Sequence, residues 1–78
     1  MSAISLKEQQ LRLREEAVLQ AVNRLLAQKG YDAMTVDEVA AAVGSTKPSL
    51  YKHFASKESL ASAALVRLLD QTLATIAA

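Results

Sequence analysis

Residues 44–54 read GSTKPSLYKHF, and the fold turns on how this stretch is understood. Gly44 suits a corner that needs a positive φ, and Thr46 suits the position just before a helix, where its oxygen can accept from an exposed amide. Pro48 then falls in a first turn, where amides lack intrahelical partners and a missing N–H costs nothing. Leu50 and Phe54, four apart, share one helical face. The remaining positions hold Lys47, Ser49, Tyr51, Lys52 and the chain's single histidine, His53. The stretch therefore reads as a tight corner followed by a short helix, about Lys47 to Phe54, with an apolar inner side and a polar, basic outer side.

Working outward, the same grammar repeats. Thr35 and Glu38 have the spacing of a capping box, and Val36, Val39, Ala40 and Val43 line one face of a helix that Gly44 ends. Upstream, Leu11, Val18, Val22, Leu25 and Leu26 form the apolar stripe of a first helix, about Leu6 to Lys29, closed by Gly30 as a left-handed stop. Downstream, Ser56 caps a fourth helix over about 57–77 that carries Leu60, Ala64, Leu65, Leu68, Leu69, Leu73 and Ile76. Nothing alternates with period two. The expectation is an all-α, single-domain chain in which residues 35–54 form a helix-turn-helix, with long helices on either side to bury it.

Composition sets bounds on function. At 78 residues a chain buries only about 60–65 % of the surface it exposes when unfolded, so its stability is marginal. Hydrophobic residues make up 51 %, but the aromatic ones are limited to Tyr31, Tyr51 and Phe54, so the core relies on Leu and Val packed through Ala. There is no cysteine, which removes disulfides and thiolate metal sites. MSAISLKEQQ lacks the apolar run of a secretory signal, and Arg67 and Asp70 interrupt the most hydrophobic stretch before it could span a membrane. A cytoplasmic location is expected. Net charge is +1, but its distribution is uneven. From Val39 to Lys57 there is no acid, while Lys47, Lys52 and Lys57 are basic.

Helical geometry sorts the short third helix. At about 100° per residue, with Leu50 at zero, Phe54 falls near 40°, Pro48 near 160°, Lys52 near 200° and Ser49 near 260°. Tyr51 and His53 fall near 100° and 300°, on the rims between core and exterior. In a helix-turn-helix the second helix enters the major groove and presents its first residues to base edges. Lys52 can donate to guanine O6 or N7, Ser49 can donate or accept, and Pro48 can meet a thymine methyl. Tyr51 and His53 can hold phosphates from the rims, and Lys57 adds a cation in the first turn of the next helix. Lys47 lies nearer the core side by angle, but its long stem can lead the ammonium outward.

The run TVDEVAAAVGSTKPSLYKHFASKESL, Thr35 to Leu60, resembles the DNA-binding domain of the tetracycline-repressor (TetR) family, and with Gly30 and the first helix the likeness covers roughly residues 14–66. The LYxHFxSKExL segment is its most specific part. The resemblance implies a three-helix DNA-binding unit continued by a long fourth helix into a larger domain that binds a small effector and dimerises. That larger domain is absent from these 78 residues, which suggests a fragment. The resemblance also implies phosphate contacts for Thr35, Tyr51, His53 and Lys57, and base-facing roles for Lys47, Pro48, Ser49 and Lys52; Thr46 is expected to join the phosphate contacts. Ser45 departs from the family, which usually has an apolar residue in the turn. Pro48 replaces a commoner glycine or alanine, though tetracycline repressors themselves carry proline there.

The expected partner is double-stranded DNA, bound by homodimers of the full protein, with no cofactor and no metal. The alternative from another class is a small helical protein-interaction module whose lysines only solvate it. An enzyme is disfavoured: His53 has no nearby acid to orient it, and the Ser and Thr residues are accounted for as caps. Apolar residues from Leu60 to Ile76 exceed what one small core needs, so some are expected to be exposed or to pair with another copy.

Overall fold

A serine or threonine marks the start of each helix by accepting the amide of the residue three positions on. Ser5 accepts from Glu8 at 3.2 Å, Thr35 from Glu38 at 3.1 Å, Thr46 from Ser49 at 3.3 Å and Ser56 from Ser59 at 3.1 Å. The computed structural model describes residues 5–77, the side chains of Leu11, Arg12 and Ala77 excepted. Among the described residues the chain is all-α, with α1 at Leu6–Lys29, α2 at Val36–Ala42, α3 at Lys47–Tyr51 and α4 at Lys57–Ala77. The Thr35 box is complete, since the Thr35 amide also donates to Glu38 Oε1 at 3.1 Å.

Glycine ends two of the helices. Gly30 closes α1 at φ +82°, with its amide on the Leu26 carbonyl at 2.9 Å. Gly44 closes α2 at φ +66°. There the Gly44 amide reaches the Ala41 carbonyl at 3.3 Å and the Ser45 amide reaches the Ala40 carbonyl at 2.8 Å. Those two bonds are the Schellman arrangement, in which the residue after the glycine commonly adds an apolar contact back to the helix. Ser45 supplies the amide but, being polar, not that apolar contact.

The third helix is shorter than the sequence suggests. It was expected to reach Phe54, but α3 stops at Tyr51. Lys52 and His53 bond back three residues, to Ser49 at 3.3 Å and Leu50 at 3.0 Å, so the last turn tightens. Phe54 still reaches the Leu50 carbonyl at 3.0 Å. The physical reason is room: the chain must leave the helix in time for Phe54 to half-bury and for Ser56 to start α4.

Val18, Val22, Met34, Val36, Val39, Ala40, Leu50, Leu60 and Ala64 form the buried cluster, with Leu19, Leu25, Leu26, Val43 and Phe54 packed partly against it. The expected stripe of α1 is thus present at Val18, Val22, Leu25 and Leu26; Leu11 lies outside the described side chains. Met34, fully buried in the turn before α2, joins the core from a position that no periodic pattern marks. Polar ties complete the packing. Asn23 Nδ2 donates to the Ala64 carbonyl at 2.9 Å, and Arg67 pairs with Glu16, both joining α1 to α4. Lys29 pairs with Glu38, joining the end of α1 to the start of α2. Beyond Ala64, Leu65, Val66, Leu68, Leu69, Leu73 and Ile76 are all exposed, as the excess of apolar residues in α4 anticipated.

Two predictions come from this packing. Leu60 is fully buried and Leu69 is 62 % exposed. Leu60→Ala should cost about 2–5 kcal/mol, enough to unfold much of so small a domain, whereas Leu69→Ala should stay within about 0.5 kcal/mol; urea denaturation followed by far-ultraviolet circular dichroism separates the two.

The second concerns acid. The Lys29 ammonium, ahead of the Thr35 amide and hydroxyl, holds the Glu38 carboxyl below the usual carboxylate range. A depressed folded pKa adds stability above the unfolded value, about 4.3, and that contribution fades as pH falls through the lower folded value. The urea midpoint should drop between pH 6 and pH 3 by less in Glu38→Gln than in the unchanged chain; equal drops would show that the pair contributes nothing.

Candidate nucleic-acid interface

The outer side of α3 is built on one buried anchor. Leu50 is 3 % exposed and sits in the cluster with Met34, Val39 and Leu60. A side chain buried to this degree contributes about 1.5–3 kcal/mol, and fixing its direction fixes the directions of its neighbours on so short a helix. Lys47, Pro48, Tyr51, Lys52 and His53 are exposed, and Ser49 is half-buried. This is the sorting expected from helical angles, except that Ser49 lies deeper than its angle implied. Lys52 keeps right-handed helical dihedrals, φ −71° and ψ −25°, so it continues the face of α3 although it lies past the helix end.

The hydroxyls expected to face DNA also do structural work. Thr46 Oγ1 accepts the Ser49 amide and lies 3.0 Å from Ser49 Oγ, which accepts the Thr46 proton in this geometry. Ser49 Oγ is thus engaged within the first turn of α3 as an acceptor. Thr35 Oγ1 accepts the Glu38 amide and donates to Glu38 Oε1 at 3.2 Å. Its hydroxyl proton must leave that carboxylate to reach a phosphate.

Space brings in residues that linear sequence did not. A groove of about 570 Å³ runs between α1 and the outer part of α3. Ser49, Lys52 and His53 line it from one side and Arg14 and Glu15 from the other, above a floor that includes Val18, Leu50 and Phe54. Arg14 enlarges the basic surface, and Glu15 places an acid beside a segment that is free of acids in sequence. Neither was legible locally, because α1 lies some forty residues away in the chain. Thr35, Thr46 and Lys57 do not line this groove; they stand at the starts of α2, α3 and α4. Lys57 is half-buried, with Nζ 4.4 Å from the centroid of the Tyr31 ring. Among the described residues no group of His, Asp and Glu is placed to hold a metal, and no helix is long and apolar enough to cross a membrane.

Residues 18–64 match the family model described as bacterial regulatory proteins, tetR family. An uncharacterized HTH-type transcriptional regulator of Mycobacterium tuberculosis (strain H37Rv) is 40 % identical over 58 residues, covering 74 % of this chain and 29 % of that regulator. The HTH-type transcriptional activator FasR of Mycolicibacterium smegmatis is 36 % identical over 63 residues, 81 % of this chain and 29 % of the activator. IcaR of Staphylococcus aureus, the HTH-type negative transcriptional regulator of the biofilm operon icaADBC, is 50 % identical over 36 residues, 46 % of this chain and 19 % of IcaR. The chain thus spans less than a third of the length of these curated relatives. No solved structure matches it.

Because α3 has little else to hold its first turn, Thr46 should be energetically visible. Thr46→Ala should lower stability by about 0.5–2 kcal/mol, and Thr46→Ser should restore most of it. Equal stability of the three proteins in urea would mean that Leu50 alone sets the helix.

Proposed function

This chain belongs to the TetR family of bacterial regulatory proteins, and from that premise we propose that the outer face of α3 reads specific double-stranded DNA as the head of a transcriptional repressor. The chain is a helix-turn-helix DNA-binding domain of a transcriptional regulator, not an enzyme. The observation that carries the finer reading is the exposure of Lys47, Pro48, Tyr51, Lys52 and His53 on a helix held from behind by buried Leu50.

Division of labour follows from chemistry. Lys52 and Lys47 are the long donors suited to guanine edges, and Ser49, its hydroxyl accepting from Thr46, is a short donor to a base acceptor. Pro48 has no amide to offer and presents apolar surface to a thymine methyl. Tyr51 and His53 flank this tip and meet phosphates, as do Lys57 and the helix-capping threonines Thr35 and Thr46, whose hydroxyl protons must turn from Glu38 and Ser49 to do so. A major groove about 12 Å wide accepts one helix, and a second head is needed for a second half-site about 34–36 Å away or a multiple of it. We therefore assign the working unit as a homodimer of the longer protein, in which a small effector acts through the part beyond this domain. Repression by occupancy requires nothing from the head but binding. The relatives include both a named activator and a named negative regulator, so a promoter reporter with and without the full-length protein decides the sign.

A single head making about five phosphate contacts should bind duplex DNA weakly, in the 10⁻⁴ to 10⁻⁶ M range, with log K falling against log salt at a slope near −4.5. Fluorescence anisotropy of a labelled duplex across a salt series measures this, and no binding at low salt would sink the reading. On a selected site, Lys52→Ala should cost about 1–3 kcal/mol and relax preference at one position, whereas a uniform loss over all sequences would make Lys52 a phosphate contact. Tyr51→Phe should weaken binding without changing the preferred sequence.

A further inference from the structure

We propose that Tyr31 is a positioning residue for DNA binding: its ring holds the Lys57 ammonium at the start of α4, ready for a backbone phosphate. The inference rests on the phosphate role proposed above for Lys57. Its own observation is the 4.4 Å between Lys57 Nζ and the Tyr31 ring centroid, well inside the distance at which an ammonium is attracted to an aromatic face.

The ring is firmly placed. Tyr31 follows Gly30, whose φ of +82° turns the chain out of α1. Three residues later the amide of fully buried Met34 reaches the carbonyls of Gly30 at 3.2 Å and Tyr31 at 3.3 Å. The turn is thereby pinned at both ends, and Tyr31 is left 39 % exposed at its apex. Lys57 meets it from the first turn of α4, whose start is fixed by the Ser56 hydroxyl on the Ser59 amide. Two rigid points, on elements far apart in sequence, thus bring ring and ammonium together.

The nature of the partner matters. Among the described residues the ion pairs are Lys29–Glu38 and Arg67–Glu16, and Lys57 is in neither. Asp32 and Glu58 lie near enough to the Tyr31 phenol to help burial raise its pKa, yet neither forms an ion pair with the ammonium. A carboxylate would neutralise the lysine and compete with a phosphate for it. An aromatic face does neither: it attracts the cation through its quadrupole, leaves the charge whole and occupies one side of a group with three donors. A long, rotamer-rich side chain is ordered in advance, so less freedom is lost when the phosphate arrives.

The test is a double-mutant cycle on duplex binding by the intact 78-residue chain at low salt, using a labelled random-sequence duplex. Tyr31→Leu should weaken binding about two- to fivefold, the range for an exposed cation–π pair, and Tyr31→Phe, which keeps the ring, should bind as the unchanged chain does. Lys57→Gln should weaken binding and lower the salt slope by about one. In the Lys57→Gln background Tyr31→Leu should have no further effect. Without DNA, the Lys57 side-chain methylene protons nearest the ammonium should show a ring-current upfield shift that Tyr31→Leu abolishes, a readout that needs no binding. Undiminished loss from Tyr31→Leu in the Lys57→Gln background overturns the proposal, as does a Tyr31→Phe variant as weak as Tyr31→Leu. If Lys57→Gln binds with unchanged slope, the phosphate role fails and this inference with it. Absence of any duplex binding by the unchanged chain overturns the functional reading itself.

Discussion

A five-residue helix does not hold its own shape in water, because nucleation costs more than one turn of hydrogen bonds returns. The outer face of α3 therefore depends on the burial of Leu50 in the core cluster. With Leu50 buried, the exposed neighbours have defined directions; without it, Lys47, Pro48, Tyr51 and Lys52 would be side chains on a loop. The same core residues that receive Leu50, among them Met34, Val39 and Leu60, come from three different segments. The outer face of α3 is thus as stable as the whole domain and no more stable than it.

Polar side chains follow a similar economy. Hydroxyls at Thr35, Thr46 and Ser56 each accept an amide at the start of a helix, so the residues that shape the surface are also those nearest to it. Thr46 and Ser49 illustrate the coupling. Thr46 Oγ1 takes the Ser49 amide to start α3 and also donates to Ser49 Oγ, so a substitution at either residue disturbs both contacts. Glu38 goes further towards structure: its carboxylate serves the Thr35 amide, the Thr35 hydroxyl and Lys29 together.

Local chemistry made much of this readable in the sequence. Thr35 with Glu38, the glycine stops, Thr46 before Pro48 and Ser56 before α4 each declare a boundary within four residues. What could not be read came from contacts between distant segments or from tertiary limits on length. Met34 lies in a turn with no period to mark it, and its burial follows from the way Gly30 folds the chain back. Arg67 looked like a break in an apolar run, whereas it is the partner of Glu16, 51 residues away. The early end of α3 reflects the need to place Phe54 and restart at Ser56, which helix propensity does not encode. Arg14 and Glu15 in the groove and Tyr31 against Lys57 were invisible for the same reason: the helices had to be assembled before they met Lys52, His53 or Lys57.

The two halves of α4 show what assembly leaves undone. With about 100° per residue, Leu60, Ala64 and Arg67 fall within about 60° of one another, while Leu65, Leu69, Leu73 and Ile76 centre on the opposite side. The first group faces α1, as the Asn23–Ala64 and Glu16–Arg67 contacts fix. Those two contacts run in opposite chain directions, so α1 and α4 are antiparallel. A longer or straighter α1 could not cover the second group, which points away from it. That arc is a contiguous apolar surface of the kind that marks protein contacts, and covering it requires an element other than α1.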